Sequence, residues 1–392
     1  MLRNYFNIAW RHLWKNKFFS LINVAGLAAG IAACLLIFVF IRYEKGFDRF
    51  HPAGIYRLVE VQQKEGIDAP QKIARTKFPM GPTLKSEFPE IADFVRIMSV
   101  EREPLQLPGG EAVMATWGGA DASLLRVFNF KLVLGDASTA LARPGTIILT
   151  ERLARQLFGS QNPVGMTVRN QGRDTTDYTV TGILQDMPDQ SHIQLDALYS
   201  FSTELIAGES ADWGNDWMFT YLSLREGADP RALEAKFPGY LEKYMGAENA
   251  RRYQLFLQPV RDIHLWSEDI TQDMPGIGKF NGSYLPVLAA VALLVLALAV
   301  INYVNLTTAL SIARAPEIAV RKTTGAGRVQ IALQFLGETG LLTLIAVAMA
   351  LAMAYLCLPL LNIFTGSETP FDIWGDPSLL LAGGGIALGT GL

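Results

Sequence analysis

The chain holds 392 residues, 50% of them hydrophobic and only 18% charged, against roughly 25% charged in ordinary soluble domains. Its mean hydropathy is +0.22, and the stretches Phe18–Ile41, Tyr284–Ala313 and Thr339–Ser367 carry no charge and no histidine, each longer than the about 20 residues that cross a bilayer. A soluble enzyme, a disordered chain, a coiled-coil rod and a disulfide-stapled module are excluded, and a net charge of −3 offers nucleic acid no footing.

Residues 1–17 are basic, with Arg3, Arg11, Lys15 and Lys17 and no acidic residue. Arg3, Asn7, Arg11 and Lys15 recur every fourth position opposite Leu2, Phe6, Ala9, Trp10 and Leu13. The spacing predicts a helix lying in the inner-leaflet interface, with Trp10 and Trp14 at headgroup depth. Membrane lipid is thus one expected partner of Arg3, Trp10, Arg11, Trp14 and Lys15, although a plain basic flank would also set orientation. The first apolar run, 18–41, is expected to span the membrane. Ile31-Ala32-Ala33-Cys34 resembles a lipoprotein cleavage box, but Leu35 to Ile41 continue the run past it, which argues against a cleaved leader. Cys34 and its counterpart Cys357 both sit inside apolar runs and read as small buried hydrophobes.

The block 42–283 follows, acidic on balance, as a solvated domain would be. Its clearest stretch is 145–188. Gly145–Leu149 is a β-rich run, and Thr150 is placed to cap a helix over 151–158, with Glu151 in the first turn and Gly159 as terminator. Asn162-Pro163-Val164-Gly165 is a turn signal, after which Met166–Arg169 and Tyr178–Leu184 read as strands, completing a βαββ unit. Asp229-Pro230 reads as a cap with proline at the first helical position, and that helix should break at Phe237-Pro238. The expected fold is α+β, in one lobe or two.

Catalytic chemistry is hard to find in this block. His51, His192 and His264 are far apart and lack zinc-ligand spacing, so each is expected to be a surface or satisfied histidine. Asp186, Asp189 and Asp196 read as turn formers and solvated charges. Neither Gly-x-Ser-x-Gly nor His-Glu-x-x-His occurs. Gly278-Lys279 is a false phosphate-binding loop, since Asp273 stands where its first glycine belongs and Phe280 where Ser or Thr is required.

The second run, 284–313, leads into a basic connector, 314–338, and the third run, 339–365. On a helix Arg314, Glu317 and Arg321 share a face, and such exposed pairs are worth only about 0.2–0.5 kcal/mol each. Gly325 is expected to end this helix, with Ala326 or Gly327 starting another that enters the third run through Gln330, Gln334 and Glu338, and Pro316 allows a bend. The connector can be a rigid basic elbow that docks on a cytoplasmic partner, but positive-inside anchoring accounts for its basic residues equally well. Segment 366–377 carries Glu368, Asp372 and Asp376 without a basic residue. The positive-inside rule therefore places the N-terminus and 314–338 inside, and 42–283 and 366–377 outside. Ser378–Leu392 would reach only about 22 Å as a helix, short of a ~30 Å core, and reads as a fourth span cut short.

Several segments together resemble one known family. They are Tyr43-Glu44-Lys45-Gly46-Phe47-Asp48-Arg49-Phe50-His51, Ile55-Tyr56-Arg57, Leu134-Gly135-Asp136, Ile148-Leu149-Thr150-Glu151, Leu157-Phe158-Gly159, Pro163-Val164-Gly165, Val180-Thr181-Gly182-Ile183-Leu184 and Asp262-Ile263-His264-Leu265. Most telling are Ile301-Asn302-Tyr303-Val304-Asn305-Leu306 and the connector followed by Gln334-Phe335-Leu336. In this order they resemble the FtsX-like permeases of ABC transporters, of the MacB-like type with a periplasmic core domain.

The resemblance implies a helical transmembrane bundle carrying a large mixed α/β extracytoplasmic domain in a bacterial inner membrane. It implies a permease subunit rather than an enzyme, holding no cofactor itself, with ATP bound by a separate cytoplasmic ABC ATPase and motion passed to the periplasmic domain. A second permease copy or second half is the other expected partner, since many relatives repeat the unit. The connector would contact the ATPase through Arg314, Glu317, Arg321, Lys322, Gly325 and Arg328. Pro316 departs from the helix former expected there. The competing reading is a receptor with an extracytoplasmic ligand-binding domain and no ATPase.

Overall fold

The computed structural model describes residues 17–63, 69–172, 175–203, 213–275, 278–313, 315–323, 327–366, 369 and 385. The chain divides into two compact units, one of Met1–Lys45 with Ser283–Leu392 and the other of Gly46–Gly282.

In the first unit the charge-free runs form helices, because a chain without competing polar side chains satisfies its backbone hydrogen bonds internally. These are α1 (Lys17–Glu44), α8 (Tyr284–Ala313) and α10 (Arg328–Thr365), with α9 (Ala315–Thr323) between the last two. All three long helices are long and apolar enough to cross a membrane. Helix α1 packs on both α8 and α10. Its Val24, Leu27, Ala28, Ile31, Ala32 and Leu35 are buried with Tyr303 of α8 and with Ala346, Ala350 and Ala354 of α10. The alanines recur every fourth residue, one small face along α10. At Gly30 a Cβ would lie 2.4 Å from that of Ala299, so the absence of a side chain sets the close approach of α1 to α8. Asn23 Nδ2 donates to Thr307 Oγ1 at 3.3 Å across the same interface, and Tyr303 OH donates to the Thr339 carbonyl of α10 at 3.3 Å. Cys34 is half-buried and Cys357 is exposed on its helix, so the expected burial of Cys357 is corrected.

The second unit is built on one mixed sheet. Its strands are β1 (Ile55–Gln62), β2 (Gln71–Ile73), β3 (Thr76–Lys77), β4 (Ile91–Gln106), β5 (Ala112–Ala120), β6 (Leu132–Gly135), β7 (Thr146–Thr150), β8 (Thr167–Asn170), β9 (Thr176–Leu184), β10 (Ala197–Ser200), β11 (Asp216–Leu224), β12 (Tyr253–Pro259) and β13 (Ile270–Thr271). The main path runs β13-β2-β1-β11-β4-β5-β10-β7-β9-β6, with β12 on β1, β3 on β11, and β8 on β4 and β9. Pairs β5–β10, β7–β9 and β2–β13 are parallel. The helices are α2 (Met80–Glu87), α3 (Leu124–Val127), α4 (Glu151–Phe158), α5 (Pro230–Glu234), α6 (Phe237–Met245) and α7 (Ala247–Ala250).

The βαββ unit forms as its local signals require. Thr150 Oγ1 accepts from Leu153 N–H at 3.3 Å, and Gly159, at φ +61°, closes α4 with its N–H on the Arg155 carbonyl. Asp229 accepts from Arg231 N–H at the start of α5, and the chain breaks before α6 at Lys236. Among the described residues four apolar clusters fill the unit, the smallest being Phe78, Phe201 and Met218. The largest gathers Ile55, Val59, Val95, Ile97, Phe128, Leu198, Phe219 and Tyr221. A second holds Trp117, Ile147, Leu149, Leu153 and Val180, and a third Leu58, Leu84, Leu222, Leu233 and Phe237.

Candidate functional site

The expected interface residues Arg3, Trp10, Arg11, Trp14 and Lys15 lie outside the described residues, as do Arg314, Gly325 and nearly all of 378–392. Of the connector, Glu317, Arg321 and Lys322 fall on α9 and Arg328 opens α10. Lys322 and Val320 are exposed.

In the second unit, the two ends of the chain meet on one loop. Gly46–Phe50 turns tightly, and Asp48 takes the left-handed conformation at φ +57°, which aspartate tolerates better than most residues. Its N–H donates to the Gln190 carbonyl at 2.8 Å. Its carboxylate receives His192 N–H at 3.1 Å and contacts His192 Nδ1 at 2.8 Å, while His192 Nε2 lies 2.9 Å from Tyr221 OH. Asp48, His192 and Tyr221 are all buried. Burial holds the Tyr221 phenol far above its ordinary range, so it stays an un-ionised hydroxyl within hydrogen-bonding distance of Nε2. Both ring nitrogens are engaged and the trio is buried, so these contacts tie the 46–51 turn to segment 190–192 and to β11. Among the described residues no group of His, Cys, Asp or Glu is disposed to hold a metal ion.

His51 continues the turn. Its Nδ1 accepts from Asn129 N–H at 3.2 Å, its Nε2 stands 3.9 Å from Asp48, and its ring meets Phe128 and Phe130 edge-on. Burial lowers its pKa from 6.5 to about 4, outweighing the pull of the Asp48 carboxylate. Arg261 then ties this turn to the segment after β12, donating to the His51 carbonyl at 2.9 Å. Phe47 stacks flat on His264 with ring centroids 3.5 Å apart. From the other end of the unit, Phe280 N–H donates to the His264 carbonyl at 3.0 Å and Gly282 N–H to the Leu265 carbonyl at 2.8 Å. The loop 260–267 therefore holds both the entry at 46–51 and the exit at 280–282.

That loop is braced from beneath. Arg57, fully buried, donates to Asp273 at 2.5 Å, Gln258 at 2.6 Å and Ser267 at 2.9 Å, and Gln258 Nε2 donates to the Trp266 carbonyl at 3.0 Å. Charged donors and acceptors of this kind are among the stronger hydrogen bonds. Lys279 reaches the Ile270 carbonyl at 2.6 Å and Asp273 at 3.1 Å, so the supposed phosphate-loop lysine is a brace.

A second buried charge cluster sits on β1, β3 and β11. Lys77 Nζ donates to Glu60 at 2.8 Å and Asp216 at 2.7 Å, Gln62 donates to Asp216 at 2.7 Å, and Lys77 lies 4.2 Å from the Tyr253 ring centroid. One cation faces two carboxylates. Burial raises the Glu60 pKa from 4.5 to about 7 despite Lys77. Burial would lower Lys77, but the two carboxylates outweigh it and keep its ammonium charged.

Of the expected surface or satisfied histidines, none lies at the surface: His51, His192 and His264 are all buried, and His192 is satisfied through both ring nitrogens. Asp186 and Asp196 are likewise more than solvated charges: Asp186 accepts Arg152 N–H in the first turn of α4, and Asp196 accepts Thr116 N–H and pairs with Arg152. Sequence reading missed the Asp48–His192–Tyr221 relay because its members stand 144 and 29 positions apart. The available signal was Phe47-Asp48-Arg49-Phe50-His51, a charged cluster within an aromatic turn.

The chain matches the family model of a MacB-like periplasmic core domain over residues 20–240 and that of an FtsX-like permease C-terminal region over residues 289–392. It is 23% identical over 249 residues to an uncharacterized ABC transporter permease, YknZ, of Bacillus subtilis (strain 168), a match covering 62% of this chain and 57% of that protein. The chain thus spans little more than half the length of that curated relative. Two solved structures are also similar. The periplasmic region of MacB from Actinobacillus actinomycetemcomitans is 16% identical at a TM-score of 0.38, covering 56% of this chain and 92% of that one. The extracellular domain of the noncanonic ABC-type transporter YknZ from Gram-positive bacteria is 14% identical at a TM-score of 0.39, covering 52% and 99%.

Proposed function

The chain belongs to the family that joins a MacB-like periplasmic core domain to an FtsX-like permease region, and from that premise we propose that it is the permease subunit of an ABC transporter, driven by a separate cytoplasmic ATPase. Helices α1, α8 and α10 span the inner membrane of a bacterium, with the N-terminus and α9 in the cytoplasm and unit 46–282 in the periplasm. ATP is bound and hydrolysed by the partner, and a second permease copy or half completes the assembly. The ATPase meets the connector at Arg314, Glu317, Arg321, Lys322, Gly325 and Arg328, and the spans carry its motion outward to export or extract a substrate.

The observation that supports this reading best is the joint clasp on loop 260–267. A unit that receives force through its two chain ends transmits it only if those ends are fixed to something stiff. Here the entry is held by Asp48, Phe47 and Arg261, the exit by two backbone hydrogen bonds, and the loop beneath by Arg57. Helix α9 presents an exposed Lys322, consistent with a docking element.

Co-purification tests the coupling role. The ATPase co-expressed with this chain should be retained by the wild type and lost by the Arg321→Glu, Lys322→Glu double variant, because charge reversal opposes an acidic partner surface. Retention of the ATPase by the double variant would remove the connector from the mechanism.

A further inference from the structure

We propose that the exposed face of α8 forms a parallel coiled-coil seam with α8 of a second copy of this chain, its register set by Asn305. The inference rests on the reading of α8 as a membrane span and of a second permease copy as partner. Along α8 two sets of exposed residues repeat every seven positions. One is Tyr284, Val291, Leu298, Asn305 and Ile312. The other, three residues on, is Val287, Leu294, Ile301 and Thr308. Alternating steps of three and four average 3.5 residues, the repeat that winds paired helices into a left-handed seam. With the first set at a and the second at d, Leu296 and Tyr303 fall at f, across the helix. Those two, with Ala299 and Val300, pack in the cluster with α1 and α10. The repeat therefore lies on the side of α8 turned away from α1 and α10.

Lipid alone does not fit this face. From Tyr284 to Ile312 the stripe runs about 42 Å, against a ~30 Å hydrocarbon core. A usual tilt of about 20° shortens it only to about 39 Å. Wherever the membrane surfaces sit, part of the stripe is mismatched. A core that reaches Ile312, 72% exposed, takes in Asn305 at a depth of about 10 Å. Among the described residues no hydrogen bond reaches the Asn305 side chain, and an unpaired amide in hydrocarbon is costly. A core that stops before Ile312 leaves that side chain bare outside the acyl chains. A second copy answers both. Two copies of one chain insert with the same orientation, so their α8 helices run parallel and each a residue meets its own counterpart. A carboxamide both donates and accepts, so Asn305 satisfies its counterpart across the seam, and Ile312 is covered by its own. One asparagine among apolar a positions also fixes the register, because a slipped pairing sets the amide against an apolar side chain.

The test uses the full chain in membranes, carrying Cys34→Ala and Cys357→Ala, with two differently tagged copies co-expressed. In that background Leu298→Cys and Leu294→Cys should each give a disulfide between the two tags on mild oxidation. Leu293→Cys, as exposed as Leu298 at 66% but off the seam, should give several-fold less. Adding Asn305→Leu to Leu298→Cys should lower the crosslinked fraction by about threefold to tenfold, the worth of one interhelical hydrogen-bonded pair. Equal yields at Leu293 and Leu298 would overturn the seam, as would a yield that Asn305→Leu leaves unchanged. A disulfide from Leu298→Cys to a different protein rejects the second copy as occupant. Tags that co-purify but never crosslink at Leu294 or Leu298 reject the seam alone. Failure of the underlying reading has its own signs: tags that never co-purify reject the second copy altogether. A Leu298→Cys thiol labelled by a membrane-impermeant maleimide in sealed vesicles rejects the span, and the seam with it.

Discussion

Glu60 and His51 are both buried, yet they couple stability to pH in opposite senses. His51 has a pKa of about 4 in the folded protein against 6.5 ordinarily, so between those values the unfolded chain binds a proton that the native chain refuses. Stability from this group is full above 6.5 and is lost as pH falls toward 4. Glu60 has a pKa of about 7 against 4.5, so the native chain keeps a proton that the unfolded chain has released. Its contribution is full below 4.5 and is lost as pH rises through 7. Each slope reaches at most about 1.4 kcal/mol per pH unit, and in the shared window from 4.5 to 6.5 they offset. Denaturant unfolding should therefore show Glu60→Gln gaining stability with rising pH relative to wild type, and His51→Asn losing it. Parallel curves for all three proteins would show that neither group carries the coupling.

At the scale of single elements, some positions depend on a neighbour three residues away and others on the far side of the sheet. Thr150 caps α4 through one side-chain bond, and Thr150→Ala should cost about 1 kcal/mol. Gly135 ends β6 at φ +98°, and a Cβ there would lie 2.5 Å from the Thr181 carbonyl oxygen of β9. Gly135→Ala meets both backbone strain and a collision with main chain, so it should cost more than the cap, about 2 kcal/mol or above. Unfolding midpoints of the two variants test the order, and a smaller loss for Gly135→Ala would show that the edge strand shifts freely. The same contrast explains what could be read in advance. The strand, cap, helix and terminator of 146–159 are consecutive, so their signals were visible in order. The pairing of β4 with both β5 and β11, or of β1 with β12, joins distant segments and is not written locally, because a strand's own alternation does not say which far strand it meets.

At the scale of the whole molecule, the division at Lys45/Gly46 and Gly282/Ser283 assigns each unit its own core. Residues 46–282 expressed without the helices should therefore be soluble and unfold in one cooperative transition, as one continuous sheet with its own apolar clusters favours. Size-exclusion chromatography and a thermal melt followed by circular dichroism check this; a broad, non-cooperative melt would mean that the unit borrows stability from the helices.

What the amino-acid order determined by itself was the presence of long apolar helices, the βαββ stretch, and the family signatures along the chain. Each of these depends on neighbours within a few turns or on composition alone. Only the tertiary structure decided that Asp48 meets His192 and Tyr221, that Arg57 braces the loop 260–267, and that both ends of the second unit close on that loop. These contacts join residues as much as 216 positions apart. Their partners are chosen by the way the sheet folds back on itself and by the need to pair every buried charge, and no local pattern encodes either.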